Sequence, residues 1–271
     1  MVLGTALGLP SARAAEPLRI VSLAPSTTEI LYELGLGEQL VGTCAQCDYP
    51  PAARHVPRVG SYVTPSVEAV LAVRPDLVIA VPSPANRDAV RAVERLGVRV
   101  LVVRDRVLAD LWEGVRALAS ATGRDREGAA LEARIRSALE AVRACVAGRP
   151  RPRVLMVVGR RPLIVVGGKT LQHELLEIAG GTNVAADVGA AFPQLSLEVV
   201  AARAPDVIID AAMGSEQGSR TTFASLPNVP AVRDGRVVAV DGDELLRTGP
   251  RVAAAAHRLA DVIHPDAVTC R

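Results

Sequence analysis

A chain of 271 residues with 31 basic and 29 acidic side chains has a formal charge of +2 and no long basic run, so nothing in it points to nucleic acid. No uninterrupted apolar segment approaches the ~20 residues that span a bilayer. Hydrophobic residues make up 49% of the chain, enough for more than one core, and they are mostly Ala and Val because aromatics contribute only 2%.

The N-terminus carries a short apolar run, Val2 to Leu9, followed by Ala12-Arg13-Ala14, a small-residue pattern of the signal-peptidase type. Residues 1–15 therefore read as a signal-peptide remnant and the mature, exported chain begins near Ala15 or Glu16. Arg19 to Leu23 reads as a strand. Ser26 with Glu29 three positions later is a capping-box pattern for a helix through Leu34, stopped by Gly35 and Gly37. Leu40 to Gly42 is a short strand.

A loop containing Cys44-x-x-Cys47 follows. A zinc site needs about four ligands, and no second Cys/His pair has ligand spacing, so no metal is expected. A disulfide between the two suits an oxidising compartment, although spacing alone leaves it open.

Ser66 to Ile79 (SVEAVLAVRPDLVI) recurs 130 positions later as Ser196 to Ile209 (SLEVVAARAPDVII). Each copy places a Ser at an N-cap and a Glu in the first helical turn, where the helix dipole favours it. Pro-Asp then ends the helix, and a β-branched run reads as a buried strand. A single repeat at this distance indicates two similar lobes rather than a solenoid, whose periods are ~20–50 residues.

Helices are expected over Asn86–Leu96 and Leu108–Ala121, with a strand at Val98–Val103. Alternating strands and helices predict parallel α/β sheets. Arg124 to Val146 is rich in Ala, Leu, Glu and Arg with no Pro, and reads as a rigid helix between the two copies of the repeat. The expected division is an N-terminal lobe over 16–123, a linking helix over 124–148 and a C-terminal lobe over 149–271. In the second lobe, strands are expected at Arg153–Val158, Leu163–Val166, Val207–Asp210 and Val237–Val240. Helices are expected at Thr170–Ala179 and Pro250–Ile263. Met213–Thr222 and Asp241–Thr248 read as loops.

Enzyme motifs are missing. There is no Gly-x-Ser-x-Gly, no complete phosphate loop and no metal-ligand pairing among His55, His173, His257 and His264. Gly167-Gly168-Lys169-Thr170 reads as a turn and N-cap. The expectation is a binding protein, with an enzyme on the same scaffold as the reading of another class.

Ligands of parallel sheets sit at the C-terminal strand ends. The first lobe then offers Gln46, Asp48, Tyr49, Tyr62 and Ser83 to a cleft, and the second offers Arg160, Phe192, Met213, Asp243 and Glu244. Tyr62 and Phe192 each stand six residues before the repeat glutamates Glu68 and Glu198, so they are equivalent positions that either face each other or cap their own cores.

Val21-Ser22-Leu23-Ala24-Pro25-Ser26-Thr27-Thr28-Glu29, Cys47-Asp48-Tyr49-Pro50-Pro51, the two repeats, Gly180-Gly181-Thr182-Asn183 and Thr248-Gly249-Pro250-Arg251 together resemble one family. It is the periplasmic substrate-binding proteins of the vitamin B12, siderophore and haem ABC importers, and within it the cobalamin branch. The resemblance implies two Rossmann-like α/β lobes joined by one long helix, a ligand cleft between them and no cofactor. It implies a monomer that takes cobalamin or another corrinoid and docks on a permease dimer through Glu68 and Glu198. It assigns ligand contacts to Gln46, Tyr62, Phe192 and Asp243, and Tyr49 and Arg247 join them as candidates. Tyr62, Phe192 and Val81 stand where the family pattern has tryptophans, and Gln46 where it has a tyrosine. Haem would use Tyr49 or Tyr62 as axial ligand, whereas a ferric siderophore would use Arg160, Arg161 and Arg247.

Overall fold

The computed structural model describes residues 17–212 and 216–266; the expected signal remnant and Met213 lie outside them. The first lobe contains β1 (Ile20–Ser22), α1 (Pro25–Glu33), β2 (Leu40–Thr43), α2 (Val67–Ala72), β3 (Leu77–Ala80), α3 (Arg87–Arg95), β4 (Arg99–Val102) and α4 (Leu108–Thr122). Its four strands are parallel, in the order β2-β1-β3-β4. Strand order therefore reverses between β1 and β3, which places a crevice beyond their C-terminal ends.

Helix α5 (Asp125–Val146) follows. Gly128, Leu131, Ile135, Leu139, Val142 and Val146 are its buried residues, spaced by three and four so that they form one stripe. At Gly128 an added Cβ would meet the Ala119 side chain at 2.5 Å, so the glycine lets α4 and α5 approach closely. The stripe joins side chains of both lobes in one continuous core, from Ile20 and Leu111 on one side to Met156, Leu175 and Leu259 on the other.

The second lobe contains β5 (Arg153–Arg160), β6 (Leu163–Val165), α6 (Leu171–Ile178), β7 (Thr182–Asn183), α7 (Leu197–Arg203), β8 (Val207–Asp210), α8 (Glu216–Phe223), α9 (Pro230–Arg233), β9 (Val237–Ala239), α10 (Gly242–Leu245) and α11 (Val252–Ile263). Its sheet runs β6-β5-β8-β9, with β7 pairing the start of β5. It is mixed rather than wholly parallel, because β6 folds back antiparallel on β5 through the tight turn at Arg161-Pro162. The expected loops at Met213–Thr222 and Asp241–Thr248 contain the short helices α8 and α10. Thr170 caps α6 by accepting the His173 N–H, as the sequence predicts.

The two repeats fold alike in detail. Ser66 and Ser196 accept the N–H groups of Ala69 and Val199. Arg74 and Ala204, again 130 residues apart, both adopt left-handed backbone (φ 46° and 40°) that ends the helix before Pro75 and Pro205. The Asp76 carboxylate accepts the Arg19 N–H at 2.8 Å, and the Asp206 carboxylate accepts the Arg153 N–H at 2.8 Å. Arg19 donates to the carbonyls of Val73 and Arg74, and Arg153 to that of Arg203. Each lobe thus ties its repeat to the residue that opens its first strand.

The capping box at Ser26 and Glu29 does not form. Ala24 is the N-cap, with no side-chain hydrogen bond, and Pro25 opens the helix. Glu29 is buried instead and pairs across the lobes.

His264 caps the end of α11, and its buried Nε2 has no hydrogen-bond partner among the described residues. Burial first, then the nearby Arg149 and Arg236, holds its imidazole below the usual histidine range. The unfolded chain takes up this proton before the folded one does, so stability from this site is present above about pH 6.5 and is lost as pH falls through the depressed folded value. The loss of urea stability between pH 7.5 and 5.0 should therefore be smaller in His264→Gln than in the wild type. An equal loss in both would place the acid sensitivity elsewhere.

Candidate functional site

The strand ends of the two lobes meet at a cleft. One cavity of about 280 Å³ is lined by Ala24, Pro25 and Ser26 after β1, by Gln46 and Tyr62, by Asp105 after β4, and by Asp243, Leu246, Arg247 and Thr248 of the second lobe. A cavity of about 690 Å³ shares Asp243, Leu246 and Arg247 and extends over the C-terminal ends of β8 and β9. Both volumes are of the order of small-molecule sites.

Tyr62 sits in a turn that local chemistry dictates. Gly60 has φ 115° and a Cβ there would meet the Ser66 nitrogen at 2.6 Å, so only glycine fits. The Ser61 N–H bonds the Thr64 carbonyl, and their hydroxyls bond each other at 2.7 Å. The Tyr62 N–H donates to Gln46 Oε1 at 3.0 Å, and its carbonyl accepts from Asn86 Nδ2. The half-buried ring packs against the main core.

Gln46 lies inside a four-residue ring closed by the Cys44–Cys47 disulfide. Both cysteines are fully buried. Arg58 holds the ring from behind, donating to Thr43 Oγ1 and to the carbonyls of Cys44 and Cys47 at 2.7–2.9 Å. A four-residue loop predicts a disulfide contribution of about 2 kcal/mol from chain entropy. The Cys44→Ser/Cys47→Ser variant should lose about that much stability in urea unfolding and should show faster amide exchange at residues 45–48. Unchanged exchange there would mean that Arg58 alone holds the ring.

A charge cluster closes the back of the cleft. Glu29 is 2% exposed and receives Arg251 in a two-pronged pair, Nη2 to Oε1 at 2.7 Å and Nε to Oε2 at 3.0 Å. Arg247 meets Glu29 at 3.4 Å, Asp48 at 2.9 Å and Asp243 at 2.8 Å. Desolvation raises the Asp48 carboxyl, but its hydrogen bond and charge interaction with Arg247 outweigh this and leave its pKa below the usual carboxylate range. Tyr49 covers the Arg251 guanidinium, 4.2 Å from its ring centroid, and is otherwise exposed. Backbone stitches add to this. The Thr248 hydroxyl donates to the Asp105 carbonyl, the Leu171 N–H to the Arg106 carbonyl at 2.6 Å, and the Leu108 N–H to Glu174 at 2.6 Å.

Gln46, Tyr62, Asp243 and Arg247 therefore come together. Phe192 does not join them on these two cavities and is 47% exposed. Its stretch is captured by the edge of the second sheet: Val165 N–H bonds the Pro193 carbonyl, and Ile164 bridges Gln194. The first lobe has no counterpart of β6, which is why equivalent positions end differently. Arg160 turns inward to the buried Asp210 at 2.7 Å, and Ser83 serves the Asn86 loop. Glu68 and Glu198 are exposed in the first turns of α2 and α7, and neither makes an ion pair among the described residues. The Ser196 hydroxyl lowers the Glu198 pKa. Glu29, Arg251 and Asp105 are the cleft residues that sequence reasoning did not assign. The Val21–Glu29 and Thr248-Gly249-Pro250-Arg251 segments include the first two of them, without indicating their roles.

Residues 20–244 match the periplasmic binding protein family. The chain belongs to that family. This periplasmic binding protein is 31% identical over 253 residues to the vitamin B12-binding protein of Yersinia pestis (strain Pestoides F), covering 93% of this chain and 88% of the relative. Its fold matches the periplasmic vitamin B12 binding protein BtuF of Vibrio cholerae with a TM-score of 0.79 at 28% identity, covering 91% and 96% of the two chains. It also matches the periplasmic heme-binding protein RhuT from Roseiflexus sp. RS-1 in apo form, with a TM-score of 0.81 at 30% identity, covering 93% and 99%. No helix among the described residues of this periplasmic binding protein is long and apolar enough to cross a membrane.

Proposed function

We propose that this periplasmic binding protein captures cobalamin or a related corrinoid in the inter-lobe cleft and delivers it to an ABC importer, without chemistry on the ligand. The observation that carries the reading is the charge state of the cleft. Arg247, the one arginine lining the two cavities among the described residues, is already paired with Glu29, Asp48 and Asp243. What remains toward the ligand is a phenol at Tyr62, an amide at Gln46 and a carboxylate at Asp105, with Asp243 presented in its pair with Arg247. Such a wall suits a large ligand with an uncharged, amide-rich rim, and gives little to a multiply anionic one. Tyr62 supplies the apolar face, with Gln46 and Asp243 bonding the rim. Phe192 contributes from the periphery once a ligand wider than the closed cavities enters. Arg247 acts by holding Asp243 and Asp48 in place.

The relatives' names support the same ligand. Export to the periplasm and docking by Glu68 and Glu198 on a two-fold permease belong to the same proposal. Haem is the second reading, because haem-binding proteins share the fold and the Tyr62 phenol opens on the cavity.

Calorimetric titration of the protein from Ala15 onward with cyanocobalamin, and in parallel with haemin, decides between them. Stoichiometric cyanocobalamin binding at micromolar affinity or better is expected. A haem Soret shift without cobalamin binding would transfer the assignment to haem.

A further inference from the structure

One acidic side chain in the cleft has no hydrogen-bond or ion-pair partner among the described residues. Asp105 lies just after β4 and lines the inter-lobe cavity beside Tyr62, Gln46 and Asp243. Its main chain is fixed between the lobes, because its carbonyl accepts the Thr248 hydroxyl. Its carboxylate accepts no hydrogen bond from any described residue, and its charge reaches Tyr62, which lines the same cavity.

Two of the nearby cations are engaged elsewhere. Arg104 pairs with Asp110 at 3.2 Å and Glu113 at 2.6 Å. From the second lobe, Arg247 is held by its three carboxylates. Asp110, at the start of α4, takes the N–H groups of Arg106 and Val107 and adds a like charge behind Asp105. Arg106 opposes this weakly, and the outcome, dominated by burial, is a carboxyl pushed up to about 6. On the Tyr62 side, burial and then the Asp105 charge raise the phenol.

We propose that Asp105 sets the charge selectivity of the cleft, accepting an N–H from an uncharged amide of the ligand rim and rejecting ligands that carry a carboxylate at that point. The proposal rests on the corrinoid reading. A corrinoid with intact peripheral amides supplies the donor that Asp105 lacks, whereas a hydrolysed amide brings a second negative charge against it. Below about pH 6 the Asp105 carboxyl holds a proton and can donate to that carboxylate; above it the two repel. Discrimination against the acid therefore grows as pH rises.

The test is calorimetric titration of the wild type and Asp105→Asn with cyanocobalamin and with its separated peripheral monocarboxylic acids, at pH 5.0 and 7.5. For at least one acid isomer, the wild type should prefer cyanocobalamin by about tenfold at pH 7.5, the equivalent of one pKa unit of interaction, and by clearly less at pH 5.0. In Asp105→Asn the preference should drop to about twofold or less at both pH values, with cyanocobalamin still bound. Asp105→Ser serves if the Asn variant unfolds early in urea. Equal preferences in wild type and variant, for every isomer, overturn the proposal and leave the corrinoid reading standing. A wild type that binds neither corrinoid overturns both.

Discussion

Glu29→Ala is expected to lower the unfolding free energy by about 3–5 kcal/mol. The side chain is 2% exposed and receives both prongs of Arg251 together with Arg247. Truncation leaves two largely buried guanidinium groups short of a counter-charge, and that exposed deficit, rather than the worth of the pair itself, sets the cost. Arg247 keeps Asp48 and Asp243, whereas Arg251 keeps only the face of Tyr49 among the contacts described above. Glu29→Gln, which can still accept hydrogen bonds, should fall between wild type and Ala. Urea unfolding of the three proteins checks this. A loss below about 1 kcal/mol for Glu29→Ala would show that water replaces the carboxylate and that the cluster is solvated in practice.

Reversing both repeat glutamates, Glu68→Arg with Glu198→Arg, is expected to abolish ligand uptake in cells while leaving ligand affinity unchanged and the protein folded, with a small loss of stability. Both side chains are exposed, project from the first turn of a short helix and lack an ion-pair partner among the described residues, so the fold does not depend on them. Reversal places a positive charge at the positive end of each helix dipole, a penalty of a few tenths of a kcal/mol up to about 1. In the proposed docking on a two-fold permease, by contrast, each reversal replaces attraction to a basic surface with repulsion, and the two act together. Growth on limiting cobalamin, alongside calorimetry of the purified variant, separates the two effects. A fall in affinity that matches the fall in uptake would make these glutamates structural.

The repeats were legible because their signals are local. A Ser at the cap, a Glu in the first turn and a Pro-Asp stop all act within fourteen residues, and each copy folds as its sequence reads. The mixed second sheet was partly legible. The expected strands Arg153–Val158 and Leu163–Val166 are four residues apart, and so short a connection forces an antiparallel pair, yet the alternation of the rest of the lobe suggested parallel strands throughout. Helices α8 and α10 were hidden by polar composition and short length.

The role of Glu29 was beyond sequence reasoning for a different reason. Its spacing from Ser26 satisfies a capping rule, while the partner that claims it lies 222 residues away. Asp105 gave no signal at all, since a lone Asp after a strand is ordinary and its meaning comes only from the cavity it faces. The equivalence of Tyr62 and Phe192 was real in the sequence, but β6 exists in one lobe only and draws the Phe192 stretch to its edge.

The stripe along α5 has a consequence for how the molecule can be taken apart. Leu131, Ile135, Leu139, Val142 and Val146 contact a core that belongs to both lobes at once. Cutting the chain on either side of this helix leaves one half with an uncovered apolar rod and the other with an uncovered trough. The two halves look like duplicated modules, yet neither is a self-sufficient fragment, and expressed alone each should aggregate or require the other for solubility. The internal duplication thus survives as architecture and no longer as independence.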